Sequence, residues 1–222
     1  MDMSFAHALS NPDALRVILR DGEDALGICQ DWLPTAWMRR AGCGPCTAAN
    51  MLFYLSRKDP SLAGLCPFAP ADAKSLTFKQ SVYFVREIWK HLTPGRKGVN
   101  TAQMFVNGAL SYVRQAGMRI TAKDKDIPGV TARYEPFAEY ADFIQEGLDS
   151  DCPVAFLNLS NGAEKNLDGW HWVTVTGMRR APDDTEVLLE IIDDTKKKTV
   201  NFKTWYDSTF LGGALAYFRE RL

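Results

Sequence analysis

Histidine is scarce in this chain, at three residues, and cysteine little commoner, at five. His7, His91 and His171 stand far apart, and only Cys43 and Cys46 form a close cysteine pair. That distribution offers no zinc-ligand spacing and too little sulfur for a disulfide scaffold, with Cys29, Cys66 and Cys152 read as bystanders. No metal and no cofactor is expected. Neither charge sign is in excess: 26 basic residues face 27 acidic ones, for a net charge of −1. Nucleic acid and anionic membrane surfaces therefore find no basic surplus to bind, and the short Lys196-Lys197-Lys198 run reads as a solvated turn. No apolar run approaches the length of a membrane span. The opening MDMSFAHALSNPDALRV lacks a basic segment ahead of an apolar one, so a cytoplasmic location is expected. Internal repeats and low-complexity tracts are lacking as well.

What remains is 222 residues of ordinary composition, enough for one domain with a sizeable core. Residues 1–150 read as a mainly helical lobe. Asn11-Pro12 opens a short helix that Gly22 stops. From Thr77 to Leu92, the apolar residues Phe78, Val82, Val85, Trp89 and Leu92 share one helical face. A third helix starts at Asn100, with Gln103 as capping-box partner, and stops at Gly117. A fourth runs from about Pro136 to Gly147. Residues 151–222 change character. CPVAFLNLS, WHWVTVTGM, EVLLEIID and KTVNF are β-rich, GGALAYFRE adds a further candidate strand, and turn residues separate them. The fold class expected is α+β, a helical lobe followed by an antiparallel sheet.

The stretch AGCGPC, Ala41 to Cys46, carries two chemistries. Cys-Gly-Pro-Cys is a thiol–disulfide redox motif, in which Cys43 and Cys46 would cycle with a disulfide. Such a site should follow a buried β-branched strand, but the preceding DWLPTAWMRRAG has little β-propensity. Ile127-Pro128, the one candidate for a facing proline loop, lies in the charged stretch KDKDIPGVTARY, with no strand pattern after it. The second chemistry is nucleophilic. A thiol at a helix N-terminus beside an imidazolium is activated by both, and Pro45 presets a first turn behind Cys43.

His171 is the best-placed imidazole. It begins the strand HWVTVTGM, which alternates His171, Val173 and Val175 on one face with Trp172, Thr174 and Thr176 on the other. A third group should orient the ring, and the next strand ends IIDDT. If residues 181–184 form a four-residue hairpin loop, Arg180 pairs with Thr185 and His171 stands opposite Asp194, with Asp193 pointing the other way. A slip of one residue exchanges the two aspartates.

Taken together, GCGPCTAANMLFYL, CPVAFLNL, GWHWVTVTGM and IIDDTKKKTVNF resemble the papain-like cysteine peptidases, in particular the family that cuts double-glycine leaders from bacteriocins. The resemblance implies a papain-like fold and a Cys–His–Asp triad of Cys43, His171 and Asp194, acting on a peptide or other amide bond. It spans about 41–55 and 151–202 and little of the helical middle. Two features depart from the family pattern. Thr195 stands where proline usually follows the acid. The glutamine usual about six residues before the nucleophile is replaced by Trp37, or by Arg40 if Cys46 is the nucleophile, as the second cysteine is in papain's own Cys-Gly-Ser-Cys. Gln30 is the sole upstream glutamine and lies further off. The alternatives are a thiol–disulfide oxidoreductase through Cys43 and Cys46, or a catalytically degenerate peptide-binding or acyl-transfer relative on the same fold.

Overall fold

In the computed structural model, which describes residues 5–70 and 72–220, the chain opens extended rather than helical. Strand β1 (His7–Ala8) precedes a single 3-10 turn at Pro12–Leu15, and β2 (Arg16–Ile18) and β3 (Asp24–Leu26) form a hairpin. The helix expected after Asn11-Pro12 is thus one turn long. Pro12 favours that turn, but the β-branched Val17 and Ile18 that follow pair with β3 instead. A 3-10 turn at Gln30–Trp32 leads into α1 (Ala36–Ala41), and α2 (Cys43–Lys58) follows after Gly42.

Helices with strong periodicity stand close to where the sequence puts them. After the short strand β4 (Leu76–Thr77) comes α3 (Phe78–Trp89), closed by a full capping box in which Gln80 N–H donates to Thr77 Oγ1 and Thr77 N–H donates to Gln80 Oε1. The next, α4 (Ala102–Gln115), is capped by Thr101, whose Oγ1 accepts from the Met104 N–H. Asn100 is not the cap, and Gln103 bonds Asn107 along the helix instead. Strand β5 (Ile120–Ile127) and α5 (Phe137–Asp149) complete the first part of the chain.

The remainder carries β6 (Val154–Asn158), β7 (His171–Arg180), β8 (Val187–Asp193), β9 (Lys196–Asn201), α6 (Phe202–Ser208) and β10 (Gly213–Glu220). The main sheet runs β5-β10-β6-β7-β8-β9, all antiparallel, and β1 pairs with the far end of β7. The class is α+β, with three corrections to the strand reading. The charged segment before Pro128 is the edge strand β5, paired along its length with β10. KTVNF stops being a strand at Asn201, whose side chain caps α6. The lysine run is no turn: Lys196, Lys197 and Lys198 pair with Asp193, Ile192 and Ile191 in β9.

The first cysteine helix is the centre of the core. Every residue of α2 from Gly44 to Ser56 is buried, because the sheet and α3 both cover the helix. Truncating Leu52 or Phe53, each at most 1% exposed, should cost about 2–5 kcal/mol in lost burial and cavity formation. Among the described residues, no helix is long and apolar enough to cross a membrane.

Candidate functional site

Two separate parts of the chain bring chemistry to one cleft, which is lined by Gln30, Cys43, Asn50, His171, Asp193 and Asp194 among others. Cys43 is the first residue of α2, where the helix dipole is positive and the first N–H groups have no intrahelical acceptor. It is half-buried, while Cys29, Cys46, Cys66 and Cys152 are buried. Burial pushes the Cys66 and Cys152 thiols up to about 11, and burial together with the neighbouring Asp194 carboxylate pushes Cys29 up to about 12. Cys46, one turn inside the helix and fully enclosed, is raised well above its ordinary value by the same desolvation.

His171 starts β7, on the strand next to the face that α2 covers. Its side chain is only 12% exposed. Burial works against the charged ring. Hydrogen bonds with Asp193 and Cys43, together with their negative charge, outweigh it and push the imidazole up from 6.5 to about 10. Nε2 lies 2.7 Å from Asp193 Oδ1, and Cys43 lines the same cleft. Asp193 is buried, yet its carboxyl is held below the usual range by His171 on one oxygen and by Lys198 Nζ, 2.6 Å from Oδ2, on the other.

The expected partner, Asp194, does not face His171. Arg180 pairs with Val187, two residues beyond the expected Thr185, and a bulge at Thr176 takes back one residue. Thr174 then pairs with Ile192, and one residue further the register brings Asp193, not Asp194, onto the face of His171. Asp194 has left the strand altogether. With Thr195 it forms the two-residue turn between β8 and β9, both at positive φ (45° and 69°), the type I′ geometry that suits tight hairpins. Its carboxylate accepts a hydrogen bond from Cys29 Sγ at 3.4 Å.

Three residues passed over or unremarked in the sequence belong to the same cleft. Gln30 stands thirteen positions before Cys43 because α1 occupies the intervening chain. The 3-10 turn and Gly42 fold it back: a Cβ on Gly42 would fall 2.5 Å from the Met38 carbonyl oxygen and 3.2 Å from Gln30 Cβ, so the close return needs glycine. Gln30 Oε1 is buried and has no hydrogen-bond partner among the described residues. Asn50, two turns down α2, is a clamp. Its Oδ1 accepts from Ile28 N–H at 3.0 Å and its Nδ2 donates to Thr174 Oγ1 at 3.2 Å. It thereby ties the segment before Gln30 and the strand of His171 to the cysteine helix. Trp172 donates from Nε1 to the Val99 carbonyl at 2.6 Å and stacks on Phe105.

Trp37 and Arg40 do not occupy the cleft with His171. They line a second hollow of about 300 Å³ that opens on Cys43 from the other side. His171, Asp193 and Asp194 offer three ligand atoms within 4.8 Å of one another, but Asp193 already serves His171 and the Lys198 ammonium. His7 and His91 lie elsewhere, paired with Asp149 and Ser111 respectively. The arrangement as a whole is a thiol, a proton-accepting ring and an orienting carboxylate in series, with a carboxamide and a helix N-terminus beside the thiol. No protein-family model and no curated protein sequence matches this chain.

Proposed function

We propose that the protein is a papain-like thiol hydrolase of peptide or other amide bonds, with Cys43 as nucleophile, His171 as acid and base, and Asp193 as the orienting acid. The observation that carries this reading is one cleft lined by the thiol at the α2 N-terminus and by a largely buried imidazole whose Nε2 lies 2.7 Å from a buried carboxylate. In the first half-reaction the Cys43 sulfur adds to the amide carbon. The oxyanion is held by the N–H groups of the first helical turn and the Gln30 carboxamide. The C–N bond then breaks, the His171 proton passes to the departing nitrogen, and an acyl thioester remains. In the second, neutral His171 takes a proton from water, the hydroxide displaces Cys43, and a carboxylic acid leaves. Asp193 holds the ring's orientation and balances its charge throughout.

Alkylation tests the reading without knowledge of the substrate. Substoichiometric iodoacetamide near pH 7, followed by peptide mass spectrometry, should modify Cys43 first, about tenfold or more ahead of the other four cysteines, whose thiols burial keeps protonated. His171→Ala should slow that reaction, and Cys46→Ser should not. Uniform labelling, or a reactivity that needs Cys46, would overturn the hydrolase reading; the second result would favour disulfide exchange.

A further inference from the structure

The hollow on the far side of Cys43 has its own chemical character. Its walls are Trp37 and Arg40, one turn apart on α1, the Arg96-Lys97 tip of the turn between α3 and α4, and Trp170, over a floor of Val99 and Leu157. No acidic residue lines it. Arg40, Arg96 and Lys97 are exposed, and none of them makes an ion pair or side-chain hydrogen bond among the described residues. Three positive charges are thus held around a space of about 300 Å³ with a thiol at its edge and nothing to neutralise them.

The cations are also held in place. Gly95 and Gly98 exchange both backbone hydrogen bonds, at 3.2 and 2.8 Å, and close the turn. Gly98 takes a φ of +71°, which glycine adopts without cost. Val99, the next residue, receives the Trp172 Nε1 hydrogen bond and so fastens the turn to the strand of His171. Trp170 is half exposed and sits at a φ of 57°, a strained conformation for a large aromatic, immediately before His171. The two tryptophans offer flat apolar faces, and the two guanidinium groups offer the forked donors that fit a carboxylate.

Resting on the hydrolase reading, we infer that this hollow selects an acidic substrate: a peptide or amide with a carboxylate-bearing side chain on the acyl side of the scissile bond. The side follows from the proton path. The departing nitrogen must reach His171, which lines the other cleft and not this hollow. What lies in the hollow is therefore the part retained on Cys43. Among cations exposed to water each contributes modestly, and together they set a preference rather than an absolute requirement.

A matched pair of reagents tests this. Acetylglutamyl and acetylglutaminyl chloromethyl ketones differ only in charge, and both alkylate the nucleophile of a thiol hydrolase. The second-order rate at Cys43 should favour the glutamyl reagent by about tenfold at low salt. Arg40→Gln, Arg96→Gln and Lys97→Gln should each reduce that ratio by about twofold, the triple variant should bring it to unity, and 0.5 M salt should compress it. Cys43 labelling with no glutamyl preference, or a preference that survives the triple variant, overturns this inference and leaves the hydrolase reading standing. Failure of both reagents to label Cys43 overturns the hydrolase reading and the inference with it.

Discussion

At the scale of single residues, the site turns on which of two adjacent aspartates serves the imidazole. Asp193→Ala removes the carboxylate that hydrogen-bonds His171 and leaves the ring with Cys43 and the Asp194 carboxylate, bonded instead to Cys29, nearby, so hydrolysis should fall strongly, by a hundredfold or so if the orienting bond is lost. Asp194→Ala should leave the rate within a fewfold of wild type, since it removes only a turn residue that contacts Cys29. The reverse ranking would show that the ring works through Asp194. The titration of His171 reports the same contacts. With its folded value raised to about 10, the ring's contribution to stability is complete below its ordinary 6.5 and is lost as pH climbs from there through 10. Asp193 is lowered instead, so its contribution holds above the ordinary carboxylate value of 3.8 and is lost as pH falls through its folded value. Ring-proton resonances of His171 should therefore still report imidazolium at pH 8. Asp193→Asn should move the midpoint down the furthest, and Cys43→Ala should move it down less. A wild-type midpoint near 6.5 would refute the coupling.

At the scale of elements, the site depends on three pieces being held in register: the α2 N-terminus, the Gln30 turn and the start of β7. Asn50 joins all three, and its two partners are buried. Asn50→Ala leaves the Ile28 N–H and the Thr174 hydroxyl without it, which should cost about 1–3 kcal/mol in urea unfolding. Because the tethers end two residues from Gln30 and three from His171, turnover under the proposed mechanism should fall more than stability alone explains. Gln30→Ala separates the two effects, lowering the rate about a hundredfold while unfolding changes little; a rate unchanged by Gln30→Ala would remove it from the oxyanion site. Elements with clear periodicity were legible in the sequence: α3 between about Thr77 and Leu92, α5 after Pro136, and the apolar strands β6, β7 and β8. Strand β5 was not, because an edge strand that faces water on one side carries Lys123, Asp124, Lys125 and Asp126 where a pattern reader looks for alternation. The cysteine and the histidine were readable from local motifs. The aspartate was not, because its face depends on a loop length and on a bulge at Thr176 that no local pattern announces. Gln30 was passed over because α1 separates it by thirteen positions from Cys43, although the fold returns it to the same cleft.

At the scale of the whole molecule, the candidate groups come from distant parts of the chain, Gln30, Cys43 and Asn50 from the first and His171, Asp193 and Lys198 from the last. The N-terminal segment is woven into both. Strand β1 lies on β7, Ser10 donates to Asp151, and Tyr54 on the cysteine helix donates to the same carboxylate at 2.5 Å. Contacts this remote in sequence form only when the chain has closed large loops, so no half of the site can persist by itself. The proposed activation of Cys43 by His171 should disappear in the same transition that exposes the core tryptophans, Trp172 and Trp205. Iodoacetamide reactivity of Cys43, expressed relative to Cys46, can be followed across a urea series beside tryptophan fluorescence and far-ultraviolet circular dichroism. The part of the Cys43 reactivity that exceeds that of the unfolded thiol should fall to half at the fluorescence midpoint, as two-state unfolding requires. Were it lost at markedly lower urea, while both spectroscopic signals stayed native, the cysteine helix and the histidine strand would be separable units, and the site would open without the fold coming apart.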